Sequence, residues 1–519
     1  MKTSKSTKRI LALMLTAVMV LGCLSGCTRS LPVESQPQAN ISADAQTATP
    51  EITEETMPSA PQASLTQGSQ GNLTVVPGQD LKYVMIYNPQ IYLDDLNTAS
   101  HYTGDLASQI DIDMFRADGL EEDPEVIPFS QLDLAPEFME QVDLSGGKAE
   151  GLGKYYRVGD TQLFYYGSSQ RYEQLFTCVY AGTHANIWVY TQLDQNILNN
   201  LGAAFDATIY DDCVSRFGEP RFGEVVNFLI YPMDSEPNTI GYFHSIDLFS
   251  SFEVNDETAE YYGANRDHNV VNINALWLED EMMVTSTLAH EFQHLLCFTG
   301  YFTAGNLCDV WFNEAMSGYI EEALYPGIKE NSYSSFHYSD LIRNGQSLYN
   351  FRIDITPTNV DIGVYGSVFL FAEYLRNLVG EDVFSNFHSN WRNTYTPLTT
   401  LQGIYQVIPE DVRMYIDNAI TYPDSYIFTS PEEEWISKLT LSFYLSLLTK
   451  DQYTNEYYRE IQLPYLLYDS LMEANIEGGG RLIMAVKDGQ FQIPANADKG
   501  LVYVGLNENM EIVTNICCN

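Results

Sequence analysis

The chain has 519 residues, a formal charge of −43 and a sequence pI of about 4.2, with 69 acidic against 26 basic side chains. So large a negative surplus argues against nucleic acid and anionic lipid as partners of the folded part, and fits a secreted protein kept soluble by self-repulsion. Hydrophobic residues make up 45% of the chain, enough to bury sizeable cores, and its length suggests two or three domains.

At the N-terminus, Lys2, Lys5, Lys8 and Arg9 precede an apolar stretch from Ile10 to Leu21 that is too short to span a bilayer comfortably. Residues 1–26 therefore read as an export signal. The run Leu24-Ser25-Gly26-Cys27 resembles the lipobox of bacterial lipoproteins, and that resemblance implies lipidation of Cys27 as the mature N-terminus. Val20-Leu21-Gly22-Cys23 is an alternative frame, and a plain secretory signal with incidental cysteines is a third reading. No other segment is long and apolar enough to cross a membrane, so a lipid anchor at the extracellular face of a bacterial cell envelope is expected. Residues 27–72 are rich in Ser, Thr, Pro, Gln and Ala and read as a disordered tether.

The expected fold class is α+β. Residues 73–193 carry aromatic and β-branched runs at 83–87, 162–166 and 186–190, separated by glycine breaks such as Gly146-Gly147 and Gly151-Leu152-Gly153. A β-rich, sandwich-like accessory domain is expected there. The following region, 194–475, mixes helices with strands. A helix over 196–210 leads to strands at 226–231 and 270–278, then a helix over 283–298 stopped by Gly300. Helices over 311–324 and 365–378 come next, the former stopped at Tyr325-Pro326-Gly327, and the chain stays mainly helical to 475. Gly478-Gly479-Gly480 opens a β-rich C-terminal segment, 476–519. No solenoid or propeller repeat occurs.

Chemistry concentrates in His290-Glu291-Phe292-Gln293-His294. Positions i and i+4 share a helix face, so both histidines can point at one ion, with Glu291 in reach of a water beside it. Glu314, in Phe312-Asn313-Glu314-Ala315, follows with nineteen residues between it and His294. Two His and one Glu leave one coordination position open, as catalytic zinc requires. The bland alternative is a surface helix with solvated histidines, but Leu288, Ala289, Phe292, Leu295 and Leu296 make this helix apolar. Buried histidines and a buried glutamate need something to satisfy them, and a metal does so. In this reading His290, His294 and Glu314 hold one Zn2+, which lowers the pKa of its water toward about 7. Glu291 takes that water's proton and passes it to the leaving nitrogen. No G-x-S-x-G nucleophile elbow supports a serine hydrolase. Calcium would find carboxylates in plenty, but no D-x-[DN]-x-[DN]-G loop occurs, so the acidic surface reads as solvated.

These residues resemble the gluzincin metallopeptidases. The setting Asn313-Glu314-Ala315-Met316-Ser317 is similar to the third-ligand helix of the thermolysin type. The wider stretch resembles the hyicolysin-like family, on Ala289 to Leu295, on Trp311 to Ala315, and on Tyr365-Gly366-Ser367-Val368-Phe369-Leu370-Phe371. Gly241-Tyr242-Phe243 and Ala204-Phe205-Asp206 share that look, so the likeness runs over roughly 195 to 380. It implies a zincin-type domain with a mixed sheet and active-site helices, acting on peptide or protein substrates. The position four after Glu314, usually acidic in thermolysin-type enzymes, is Gly318, which leaves Glu321 or another segment to orient a ligand histidine. Gly318 also reads as a residue that lets two helices approach. By analogy Tyr365 is the candidate oxyanion stabiliser, with Tyr319 a lesser one and His244, near Asp247, a hydrogen-bond donor or a structural histidine. Asn272 to Trp277 is the candidate sheet edge for an extended substrate, or else a core strand. The absence of a G-x-M-E-N pattern favours an endopeptidase over an aminopeptidase.

Six further cysteines, Cys178, Cys213, Cys297, Cys308, Cys517 and Cys518, contain no C-x-x-C pair. Disulfides and buried thiols both fit, and Cys297–Cys308 is the first pair to inspect because it would clamp the loop leaving the metal helix. The competing reading of the whole chain is a surface binding lipoprotein that keeps the scaffold without turnover. Retention of the base and all three ligands argues for the enzyme.

Overall fold

The computed structural model describes residues 73–91, 136–144, 155–304 (without 169, 236 and 238), 308–328, 347–349, 351, 363–390, 397–422, 428–449 and 475–518 (without 496, 498, 499, 510 and 515). It also describes the backbone of short strands at 63–67, 100–102, 127–131, 354–356 and 359–361. The export signal, Cys27 and most of the tether fall outside the described residues.

Three strands come first: β1 (Ala63–Gln67), β2 (Tyr83–Tyr87) and β3 (Ser100–Tyr102). The larger sheet then has seven strands: β4 (Ile127–Gln131), β5 (Thr161–Tyr166), β6 (Tyr172–Ala181), β7 (Ala185–Val189), β8 (Val226–Tyr231), β9 (Thr239–His244) and β10 (Asn269–Asn274). Their spatial order is β4-β9-β10-β8-β7-β6-β5, with β7, β8 and β10 parallel and β9 antiparallel to β10. Both faces of β8, β9 and β10 are covered, so every position is buried and the sequence reads as continuous apolar runs. The side chains still alternate. Phe228, Ile230, Phe243, Val271 and Ile273 join the main core, whereas Leu229, Tyr231, Tyr242 and Val270 form a second cluster with Phe164, Phe176 and Trp188.

Helix α1 (Gln195–Ala204) starts at Asp194, whose carboxylate accepts from the Asn196 N–H, and passes through a π turn (Phe205–Ile209) into α2 (Tyr210–Phe217). Helix α3 (Asp256–Tyr262) ends on Gly263 at φ 71°, a left-handed conformation that glycine supplies without strain. Helix α4 (Glu281–Ala304) packs against β9 and β10, and α5 (Val310–Leu324), capped by Asp309, packs on α4. Helix α4 runs past Gly300, the expected stop. Its last turns are held by packing: the Phe302 ring meets Phe249 at 5.0 Å and carries the Arg221 guanidinium at 3.3 Å. Helix α6 (Gly363–Val379) lies on α5 and is followed by α7 (Asp382–Asn390), α8 (Pro397–Val407), α9 (Glu410–Ala419) and α10 (Pro431–Thr449). Among the described residues no helix is long and apolar enough to cross a membrane.

The remaining strands are β11 (Asp354–Thr356), β12 (Asn359–Asp361), β13 (Ile420–Thr421), β14 (Asn475–Glu477), β15 (Arg481–Ala485), β16 (Val502–Leu506) and β17 (Ile516–Cys518). A smaller sheet of six strands has the order β13-β1-β17-β16-β2-β15. Two expectations about boundaries are corrected here. Residues 73–193 are not a separate sandwich: β2 pairs with β15 and β16 of the C-terminal segment, while β7 pairs with β8 inside the helix-bearing region. The end of the proposed tether, 63–67, is strand β1 beside β17 and β13. Local periodicity marks a strand but not its partner, and the partners of β1 and β2 lie hundreds of residues away.

Candidate metal centre

Helix α4 offers His290, Glu291 and His294 to its buried side, and α5 brings Glu314 across. One ligand atom from each of His290, His294 and Glu314 lies within 4.8 Å of the others. His290 Nε2 is 3.3 Å and His294 Nε2 3.6 Å from Glu314 Oε2, with the three side chains at most 2% exposed. The two imidazole rings stand 4.6 Å apart at 83°, so their edges converge instead of stacking.

The outer ring nitrogens are occupied. His290 Nδ1 is 3.0 Å from Glu321 Oε2, and His294 Nδ1 is 2.6 Å from the Asn313 side-chain amide. Gln293 Nε2 donates to Asn313 Oδ1 at 3.3 Å. An amide presents oxygen or nitrogen by a half turn about its last torsion; with oxygen toward the ring, Asn313 accepts the Nδ1–H and leaves Nε2 free to ligate. Glu321, on the same face of α5 as Glu314, thus takes the orienting place that Gly318 vacates. Gly318 itself faces α6, where a Cβ would come 3.3 Å from Phe369 Cδ2, in line with the close-approach reading.

Electrostatics favour a cation at this point. Burial pulls the His290 imidazolium down, yet Glu321 and Glu314 raise it to about 10 overall. Burial pushes the Glu314 carboxyl up, but His294 and His290 bring it to about 2. Glu291 is driven well above the usual carboxylate range by burial, against the opposing pull of His290 and of the Phe243 backbone. His290 Nε2, His294 Nε2 and both Glu291 oxygens are buried without a hydrogen-bond partner. Two nitrogen donors and a carboxylate left unsatisfied in a buried site fit a divalent cation with a hydrogen-bonding species beside it.

The other candidates are placed as follows. Tyr365 stands in the first turn of α6, half-buried, its ring 5.0 Å from Phe351 at 82°. Tyr319 is corrected: its hydroxyl accepts from Arg216 Nη1 at 3.0 Å and its ring packs 4.5 Å from Phe384, so it is tied into the helix packing. Asp247 gives both oxygens to Arg171 at 2.9 Å, and not to His244. His244 ends β9, buried and held well below its ordinary value by burial and Arg171. Asn272 to Trp277 is not a sheet edge, because β10 lies between β9 and β8 and the chain then enters a 3-10 turn at Ala275–Trp277. Among the described thiols, Cys178, Cys213, Cys297 and Cys308 are free and buried; Cys297 Sγ is 3.6 Å from Cys308 Sγ. Sequence reasoning missed the pairing of Asn313 with His294 and the approach of the Phe243 backbone to Glu291. An amide directly before the third ligand was the available sign of the first.

The described residues mix helix and sheet, and His290, His294 and Glu314 form a group that could hold a metal ion. The chain is similar to the neutral metalloprotease ShpI of Staphylococcus hyicus, at 27% identity over 235 residues, which is 41% of this chain and 50% of that protein. The chain therefore spans about half the length of the curated relative it matches. No family model matches it.

Proposed function

We propose that the chain is a zinc-dependent endopeptidase of gluzincin type, tethered through Cys27 to the outer face of a bacterial envelope. The observation that carries the reading is the buried Glu291 carboxylate, without a hydrogen-bond partner, beside the convergent His290, His294 and Glu314. Those three side chains would hold a zinc ion, whose chemistry when bound would be Lewis acidity toward a peptide carbonyl and a water pKa lowered toward about 7. Glu291 accepts the proton of the attacking water and delivers it to the departing amine nitrogen. Glu321 and Asn313 hold the two imidazoles in the ligating orientation. Tyr365, on the helix packed against α5, is the proposed donor to the carbonyl oxygen as negative charge develops there. The envelope anchor rests on Leu24-Ser25-Gly26-Cys27, outside the described residues, with the Ser/Thr/Pro-rich stretch after it as the spacer.

Purified 28–519 and Glu291→Gln, each assayed for zinc and for cleavage of a quenched peptide library, test the catalytic part. Stoichiometric zinc in both with turnover in the wild type alone is the expected result. A folded wild type that binds no zinc overturns the reading. Cys27→Ala tests the anchor, with release of the protein into the medium expected.

A further inference from the structure

We propose that β4 is an internal competitor for the strand-binding edge of this site, so that an extended peptide reaches Glu291 only by displacing residues 127–131 from β9. The inference rests on the peptidase reading and adds its regulation and its substrate form.

Strand β9 forms the wall of the site. Gly241 lacks the side chain that would otherwise hold α4 away: a Cβ there would lie 2.8 Å from Thr287 Cγ2, about one turn before His290. Two residues on, the Phe243 backbone lies against Glu291, and the Phe243 ring is 6.1 Å from that of Phe298 on the same helix. One long side of β9 is paired with β10. The other side is the second row of backbone donors and acceptors on this strand, and such a row takes up an extended peptide by strand addition.

That row is already taken. β4 lies along it in parallel, with Ile127 opposite Thr239, Phe129 opposite Tyr242, Ser130 opposite Phe243 and Gln131 opposite His244. Its last two positions are thus set against the residue beside Glu291 and its neighbour. One row of donors cannot serve two strands, so peptide and β4 exclude each other. β4 is also built to leave. It has five residues, Pro128 has no N–H to give, and the register slips between Ile127 and Phe129 where that proline falls. The occupant that displaces it is an unfolded or extended peptide segment, since a folded surface offers no free strand to the edge.

The test uses the zinc-loaded full chain and two variants. One replaces 127–131 by Gly-Ser-Gly-Ser-Gly, which keeps the length and removes the strand tendency. The other, Gln131→Cys with His244→Cys, ties β4 to β9 by a reducible disulfide. The expected result is kcat/KM for short peptides raised about tenfold or more in the first, mainly through KM. In the second it falls about tenfold and is restored by reductant. Unchanged or lowered kcat/KM in a loop variant that melts like the wild type overturns the proposal. If the loop variant fails to fold, the tied variant decides: full activity while oxidised overturns it. If no variant cleaves anything, binding of a fluorescent extended peptide is measured instead. About tenfold tighter binding without β4 then supports the competition while the peptidase reading falls, and equal binding overturns the competition itself.

Discussion

Glu321 is the residue at which the metal reading is most exposed to measurement without any catalytic assay. Its carboxylate sits 3.0 Å from His290 Nδ1, 2% exposed, on the helix that also carries Glu314. Glu321→Gln keeps an acceptor of nearly the same shape but removes the charge; Glu321→Ala removes both and leaves a buried N–H unpaired. Loss of a partner behind a ligand histidine costs about 10- to 100-fold in metal affinity, which is about 1.4 to 2.7 kcal/mol. An unpaired buried donor costs about 1–3 kcal/mol, so the alanine variant belongs at the upper end and the glutamine variant at the lower. Competition against a chelator of known zinc affinity gives the two dissociation constants directly, and the melting temperature of metal-free protein shows whether the fold is intact. A folded Glu321→Ala variant that binds zinc within about twofold of wild type would refute the assignment of Glu321 as the residue orienting His290.

Tyr365→Phe should lower kcat about 10²- to 10³-fold with KM nearly unchanged, whereas a tyrosine that merely packs on Phe351 would leave kcat alone. Gly318→Ala sets a helix-propensity gain of about 1 kcal/mol against overpacking of about 1–3 kcal/mol. Phe369 is buried and a Cβ would lie 3.3 Å from its ring, so the melting temperature should fall, and a rise would refute the close-approach role. Oxidised glutathione should join Cys297 and Cys308, whose sulfurs are 3.6 Å apart, with a mass loss of about 2 Da. Both thiols remaining alkylatable after denaturation in the oxidant would refute that.

The candidate metal centre was legible because its information is local. The spacing of His290 and His294 on one helix needs no knowledge of the sheet, and their apolar neighbours already say that the helix is buried. Helix and strand positions around 226–231, 311–324 and 365–378 were readable for the same reason. What the sequence could not convey is pairing. Tyr83 to Tyr87 looks like any buried strand, and nothing near it says that Arg481 to Ala485 and Val502 to Leu506 are its neighbours. The choice left open for Asn272 to Trp277, sheet edge or core strand, has the same origin, since an edge is defined by what is absent beside it. Tyr319 was misjudged because a tyrosine near a ligand looks alike in sequence whether it faces the site or Arg216.

The smaller sheet also sets an order of events for a chain that emerges N-terminus first. β2 has all five residues buried, yet both of its neighbours, β15 and β16, are made about 400 residues later. Until they arrive, Tyr83-Val84-Met85-Ile86-Tyr87 is an open, apolar strand with two bare edges, the kind of segment that recruits other chains. The strands beside the metal helices face no such delay, because β8, β9 and β10 follow one another within 226–274. A chain cut short before residue 481 would therefore lack both neighbours of β2, and with them Ile483, Ala485, Val502, Val504 and Leu506 of the main core.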